Sequence, residues 1–214
     1  MKKKIGILGS GVVAKTLAKG FAAKGYDVRI GSREASKLEA FAAETGISAG
    51  SFAEVAAHGE LVVLAVKGSA ALEALQIAGS RNLSGKVVID TTNPIADAPP
   101  VEGVIGFYTG VNDSQMERLQ QAYPEIRFVK AWNSIGSAFM VDPRFPGPAT
   151  TMFYCGDDGE AKDDVAAILA EFGFAPEDMG SAPSARALEA LCQLWCIPGM
   201  RGKGWNHAIQ LVRG

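Results

Sequence analysis

The sequence predicts a doubly wound α/β fold, a mostly parallel sheet carrying helices on both faces and ending in a short C-terminal helical segment. Three observations carry this expectation. Short apolar runs alternate with amphipathic stretches along most of the chain. Runs of that kind suit parallel strands buried on both sides, and right-handed crossovers between them distribute the helices over both faces. A glycine-spaced turn also follows directly on the first apolar run, where strand gives way to helix.

Element by element, "KIGIL" (4–8) is the first strand, and a helix follows from about Val12 to Lys24. "DVRIG" (27–31) is the second strand, with a helix over "EASKLEAFAAET" (34–45), and "GISAG" (46–50) is a short third. "ELVVLAV" (60–66) leads into the helix "SAALEALQIAG" (69–79), and "KVVID" (86–90) ends at "TTNP". The helix "SQMERLQQAY" (114–123) precedes "IRFVKAW" (126–132); "TTMFYC" (150–155) precedes "GEAKDDVAAILAEFG" (159–173). The loops 91–113 and 136–149 are long and rich in Pro and Gly, and long loops in compact domains often carry function.

Composition restricts the class of protein. The 214 residues are 48% hydrophobic and 21% charged, with a net charge of −2. One domain over 1–214 is expected, with 180–214 as a helical segment that closes the site or dimerises. A balance so near neutrality leaves no footprint for nucleic acid. No stretch reaches the ~18 unbroken apolar residues of a membrane span. The opening "MKKKIGILGSGVVAKTLA" has the basic head of a signal peptide, but Gly6, Gly9, Gly11 and Lys15 interrupt its apolar run. It reads as a first strand, and the chain as cytoplasmic. Cys155, Cys192 and Cys196 fit a reducing compartment. Cys192 and Cys196 share a helix face and read as buried small hydrophobes, a redox pair being the alternative. His58 and His207 are the only imidazoles, and no metal site is expected.

Gly9, Gly11 and Ala14 stand in the spacing G-x-G-x-x-A. Gly9 permits the tight turn, Gly11 lets a phosphate approach the backbone, and Ala14 allows helix and strand to pack closely. The free N–H groups and dipole of the following helix favour an anion. A dinucleotide site is the reading, and a ligand-free tight turn the alternative. The second strand then selects the dinucleotide. An NAD site carries an acid at that strand's tip, whereas here Ser32 and Arg33 follow it, with Lys37 one turn later. A hydroxyl, a guanidinium fork and an ammonium suit a 2′-phosphate, so NADP(H) is expected.

Ligands of such sheets lie beyond the carboxyl ends of the strands. Val66 and Lys67 after the fourth strand, Asn93 after the fifth, and Asn133, Ser134 and Ile135 after the sixth are expected to line one cleft with the glycine turn. Asp90 is either an acid or, as favoured here, the cap of the turn "DTTNP". Lys67 either meets phosphate or is solvated, and Trp132 is either a wall for a flat ring or core. His58 falls at the opposite edge, and neither it nor His207 lies at a strand tip. No side chain is assigned as acid or base. Hydride transfer between two organic cofactors asks only for alignment, which favours a two-cofactor oxidoreductase over an alcohol dehydrogenase.

Taken together, "ILGSGVVAKTLA", "IGSREASK", "DTTNP", "VKAWNSIG" and "TMFYCGDD" resemble the NADPH-dependent deazaflavin-coenzyme (F-420) oxidoreductase family. The cytosolic domain of the membrane metalloreductases is a more distant relative. The resemblance implies a Rossmann-like domain with NADPH lying across Ser10, Gly11, Val12, Val13, Ser32, Arg33 and Lys37. It implies direct hydride transfer to a deazaflavin ring near the fourth and sixth strand ends. It also implies a homodimer whose C-terminal segment helps close the site. One position departs from the pattern: the established deazaflavin reductases carry His where this chain has Asn133. The hydride acceptor therefore stays open between coenzyme F-420 and a flavin such as FMN or FAD. Three alternatives stand beside this reading. One is a flavin or ferric-chelate reductase; another is a non-catalytic NADP sensor. The third, a hydroxy-acid dehydrogenase or pyrroline-carboxylate reductase, needs a large helical domain for which the chain after Cys155 is short.

Overall fold

Eight strands and eight α-helices alternate along residues 2–214, which the structure, a computed structural model, describes. The order is β1 (Lys4–Leu8), α1 (Val12–Ala23), β2 (Asp27–Gly31), α2 (Glu39–Thr45), β3 (Ser48–Gly50), α3 (Phe52–His58), β4 (Leu61–Leu64) and α4 (Ala71–Ala78). It continues with α5 (Ser80–Leu83), β5 (Val87–Asp90), α6 (Gln115–Ala122), β6 (Arg127–Lys130), β7 (Thr151–Tyr154), α7 (Gly159–Glu171), β8 (Ala175–Asp178) and α8 (Ala185–Met200).

Six strands form one parallel sheet in the order β3-β2-β1-β4-β5-β6. The order turns outward on both sides of β1, so the sheet is doubly wound. Residues along each strand alternate between its two faces. Ile5, Ile7, Leu61, Val63, Val87 and Ile89 pack with α1 and α7. Leu8, Val62, Leu64, Val88 and Phe128 pack with α3, α4, α6 and α8. This double burial explains why β1, β4 and β5 read as nearly continuous apolar runs.

A second, two-stranded parallel sheet, β7-β8, adjoins the edge of β6. The two sheets meet in one antiparallel bridge, where Lys130 N–H donates to the Cys155 carbonyl at 2.9 Å and Cys155 N–H returns to the Lys130 carbonyl at 3.2 Å. β8, "APED", holds a proline and two acids and is solvent-exposed at both ends. It carries no apolar periodicity, so the sequence does not announce it.

Two predicted strands end early. The fourth stops at Leu64 rather than Val66, and the sixth at Lys130 rather than Trp132. Trp132 takes a left-handed backbone conformation, φ 57°, which breaks the ladder. Its indole is fully buried against Phe21 and Phe172; it is core, not a wall of the cleft. The loop between β5 and α6 folds on itself through bridges Ile95–Phe107 and Val101–Val104. Ile105 of this flap packs against Cys192, Trp195 and Cys196 of α8. Beyond α8 the tail is held by reciprocal bonds, Trp195 Nε1–H to the His207 carbonyl at 3.0 Å and His207 Nε2 to the Trp195 carbonyl at 2.8 Å. Among the described residues no helix is long and apolar enough to cross a membrane.

Candidate functional site

The tips of β1, β2 and β4 interlock beneath a single opening. Gly9 N–H donates to the Gly31 carbonyl at 3.0 Å, and Ala65 N–H to the Leu8 carbonyl at 2.8 Å. Gly9 sits at φ 147°, and a Cβ there would lie 2.2 Å from the Ala65 carbonyl oxygen and 3.1 Å from Ala14 Cβ. Glycine is therefore imposed by backbone contact as well as conformation. Gly11 is the opposite case, since a Cβ there would meet nothing within 4 Å. The space above it is open.

That space lies at the N-terminus of α1. Gly11 is the N-cap residue, and no side chain caps the helix or places an acid in its first turn. Among the other long helices, the first turns of α6 and α7 are capped by Ser114 and Asp158; α4 and α8 also lack a side-chain cap, but both are entered through 3-10 turns. Free first-turn amides with the helix dipole behind them attract an anion.

A cavity of about 190 Å³ opens here, lined by Gly9, Ser10, Gly11, Ser32, Arg33, Lys37, Val66 and Lys67, with Phe52, Ala65, Ala70, Glu73 and Ala74. Eight of the residues singled out in the sequence are thus brought together. Ser32 is buried, its hydroxyl 3.4 Å from that of Ser10. Arg33 Nη1 donates to Glu73 at 2.9 Å, Lys37 to Glu34 at 2.8 Å, and Lys67 to Asp97. All three ion pairs are more than half exposed, which leaves the cations available to a ligand. The Lys37 ammonium holds the Glu34 carboxyl below its ordinary range, through its hydrogen bond first and its charge second.

The remaining predicted residues lie elsewhere. Val12 is exposed and lines a separate depression with Lys15, Thr16 and Phe41, and Val13 packs against the core. Ser134 and Ile135 are buried. Asn93 and Asn133 bond each other, Asn93 Nδ2 to the Asn133 carbonyl at 2.8 Å and Asn133 Nδ2 to Asn93 Oδ1 at 3.0 Å. Asn133 Nδ2 also donates to the Leu188 carbonyl of α8 at 2.7 Å. Both its amide hydrogens are committed to the protein, while its buried Oδ1 has no partner among the described residues.

A buried charge cluster that the sequence reading does not reveal lies under the β5 and β6 tips. Lys130 Nζ stands 2.7 Å from Asp90 Oδ2 and 2.8 Å from Glu189 Oε1, and donates to the Thr92 carbonyl at 2.8 Å. All three charged side chains are at most 2% exposed. Burial alone would depress the Lys130 ammonium, but the Asp90 and Glu189 carboxylates outweigh it and hold its pKa above the ordinary lysine value. Asp90 caps its turn as expected, its Oδ1 accepting from Thr92 N–H at 2.9 Å and Thr92 Oγ1–H at 2.6 Å. Glu189 accepts from Gln115 N–H at 2.9 Å and Met116 N–H at 3.1 Å, so α8 is tied to the start of α6. The signal for this cluster, three charges in otherwise apolar surroundings, is spread over a hundred residues.

His58 lies against the Asp27 carbonyl at the amino edge of the sheet, away from the cleft. Cys192 and Cys196 are buried free thiols. Their mutual hydrogen bond, then burial, pushes the Cys192 thiol well above its usual range, and the same bond holds the Cys196 thiol below its own.

Comparison with known proteins agrees with this geometry. Residues 4–94 match the profile of a family described as NADP oxidoreductase coenzyme F420-dependent. The crystal structure of a proposed F-420-dependent NADP reductase from Arthrobacter sp. FB24 superposes with a TM-score of 0.92 at 32% identity, covering 99% of this chain and 100% of that one. The metalloreductase STEAP3 of Rattus norvegicus is 30% identical over 94% of this chain and 39% of its own length. The metalloreductase STEAP2 of Homo sapiens is 25% identical over 89% of this chain and 36% of its own length. The chain thus spans well under half of the curated relatives it matches. Its full-length likeness to the Arthrobacter protein, together with the match across the glycine turn and the cleft, makes this chain a member of the F-420-dependent NADP oxidoreductase family, an oxidoreductase family that uses NADP.

Proposed function

We propose that this chain transfers hydride between NADP(H) and a deazaflavin coenzyme of the F-420 type or a flavin such as FMN or FAD. One observation carries the proposal: the uncapped N-terminus of α1, Ser32, Arg33 and Lys37 face one cavity over a glycine that leaves room for a phosphate. When bound, NADPH supplies a hydride from its nicotinamide. The first-turn amides of α1 hold the pyrophosphate, Arg33 and Lys37 hold the 2′-phosphate, and Ser32 orients the ribose. Asn93, Asn133, Ser134 and Ile135 define the β5 and β6 side and would flank the nicotinamide end of the cofactor. The protein's part is alignment of two flat rings, and the cofactors carry the electrons.

A second reading, a flavin or ferric-chelate reductase, is supported by the 30% identity to a metalloreductase over 94% of the chain; Asn133 in place of histidine keeps the acceptor open. We also propose a homodimer formed through the C-terminal segment, on which Leu194, Met200 and Val212 are exposed.

Purified protein supplied with NADPH is tested against coenzyme F-420 and FMN under identical conditions. Turnover with F-420 alone establishes the deazaflavin acceptor, and turnover with FMN alone establishes the flavin arm. NADPH binding without turnover on either overturns hydride transfer in favour of a sensor.

A further inference from the structure

The tip of β2 lacks the acid that an NAD site uses for the ribose 2′-hydroxyl, yet the cavity does contain one carboxylate. Among the described residues that line it, Glu73 of α4 is the single acid. Its Oε2 accepts from Arg33 Nη1 at 2.9 Å. The side chains are 53% and 54% exposed, so the pair is weak and exchanges readily with solvent or ligand. The partners of the other two cations, Glu34 and Asp97, do not line the cavity.

This placement has two opposed consequences. A 2′-phosphate held by Arg33 comes to rest beside the Glu73 carboxylate, and the like charges repel. A ribose that carries a free 2′-hydroxyl instead finds in Glu73 an ionised acceptor, the chemistry that an acid at the second strand supplies in NAD sites. We propose that Glu73 sets the dinucleotide selectivity of this chain: it weakens the hold on NADPH and gives NADH a carboxylate for its 2′-hydroxyl. The proposal rests on the reading of this cleft as the NADP(H) site.

The test is titration of NADPH and NADH into the wild-type protein and the Glu73→Gln and Arg33→Ala variants, with the unfolding midpoint as a control. Glu73→Gln is expected to bind NADPH about fivefold more tightly, the effect of removing one like charge at contact range in a wet site. NADH is expected to bind several-fold more weakly, and the salt dependence of NADPH binding to steepen. Glu73→Ala is expected to move the ratio of the two affinities in the same direction. An unchanged ratio overturns the proposal. So does a parallel loss for both dinucleotides, which would make Glu73 only a support for Arg33. Wild-type affinity for NADPH no greater than that of Arg33→Ala overturns the reading of the cleft itself, and the proposal with it.

Discussion

The cleft and the buried cluster use the same chemical parts under different solvation. In the cleft, Arg33, Lys37 and Lys67 each meet one carboxylate, and every partner is more than half exposed. Under the β5 and β6 tips, Lys130 meets two carboxylates, and none is more than 2% exposed. Exposed pairs contribute under ~1 kcal/mol each and yield to a better anion. A buried ammonium cannot be released, because each partner left behind would carry an unpaid desolvation cost. The two helix N-termini on these sides differ in the same way. The first turn of α6 is closed by Ser114 and Glu189, whereas that of α1 takes no side-chain cap. An interaction that a ligand can replace makes a site, and one that nothing can replace makes a staple.

The largest effect is expected where the staple is cut. Lys130→Met strands two buried carboxylates, and a loss of about 3–5 kcal/mol is expected in urea unfolding. The same substitution at the half-exposed Lys37 is expected to cost less than ~1 kcal/mol. Equal losses at the two positions would erase the distinction between the regions.

Next comes Arg33→Ala. Loss of charge-assisted bonds to a 2′-phosphate is expected to weaken NADPH by roughly ten- to a hundredfold, with NADH little changed and the unfolding midpoint preserved. Parallel losses for both dinucleotides would show that Arg33 does not read the 2′ position.

Gly11→Ala sharpens the comparison within the turn. Its Cβ would enter open space, so the midpoint is expected to hold while NADPH and NADH weaken together. Gly9→Ala is expected to lower the midpoint, because its Cβ collides with the Ala65 carbonyl.

The smallest effect concerns acid. Glu117 joins α6 to α8 through Arg186, with Nε to Oε2 at 2.9 Å and Nη2 to Oε1 at 2.6 Å. The Arg186 guanidinium, chiefly through these bonds, holds its carboxyl below the ordinary value of 4.5. A depressed carboxylate stabilises the fold above its unfolded value, and this contribution is lost as pH falls from about 4.5 through the folded value. Stability profiles of wild type and Glu117→Gln are expected to converge in acid, differing by no more than ~1 kcal/mol above it.

The central strands β1, β4 and β5 were readable because burial on both faces leaves nearly unbroken apolar runs, and the turn at Gly9, Gly11 and Ala14 was readable because its demands are local. A positive φ, room for a phosphate and a free helix start are all met within a few residues. Ser32 and Arg33 follow the second strand directly, so their place at its tip comes with the strand itself. Sequence by itself therefore determined the sheet, the glycine turn and the cationic tip of β2. Tertiary structure alone decided which carboxylates meet those cations, that Glu73 shares their cavity, and that Glu189 reaches Lys130 and Asp90 across the fold. It also decided that β8 pairs with β7 despite its proline and acids, and that Trp132 turns away into the core. The physical reason is range: backbone conformation and burial pattern are properties of neighbouring residues, whereas an ion pair depends on segments distant in the chain whose separation only the packed fold sets.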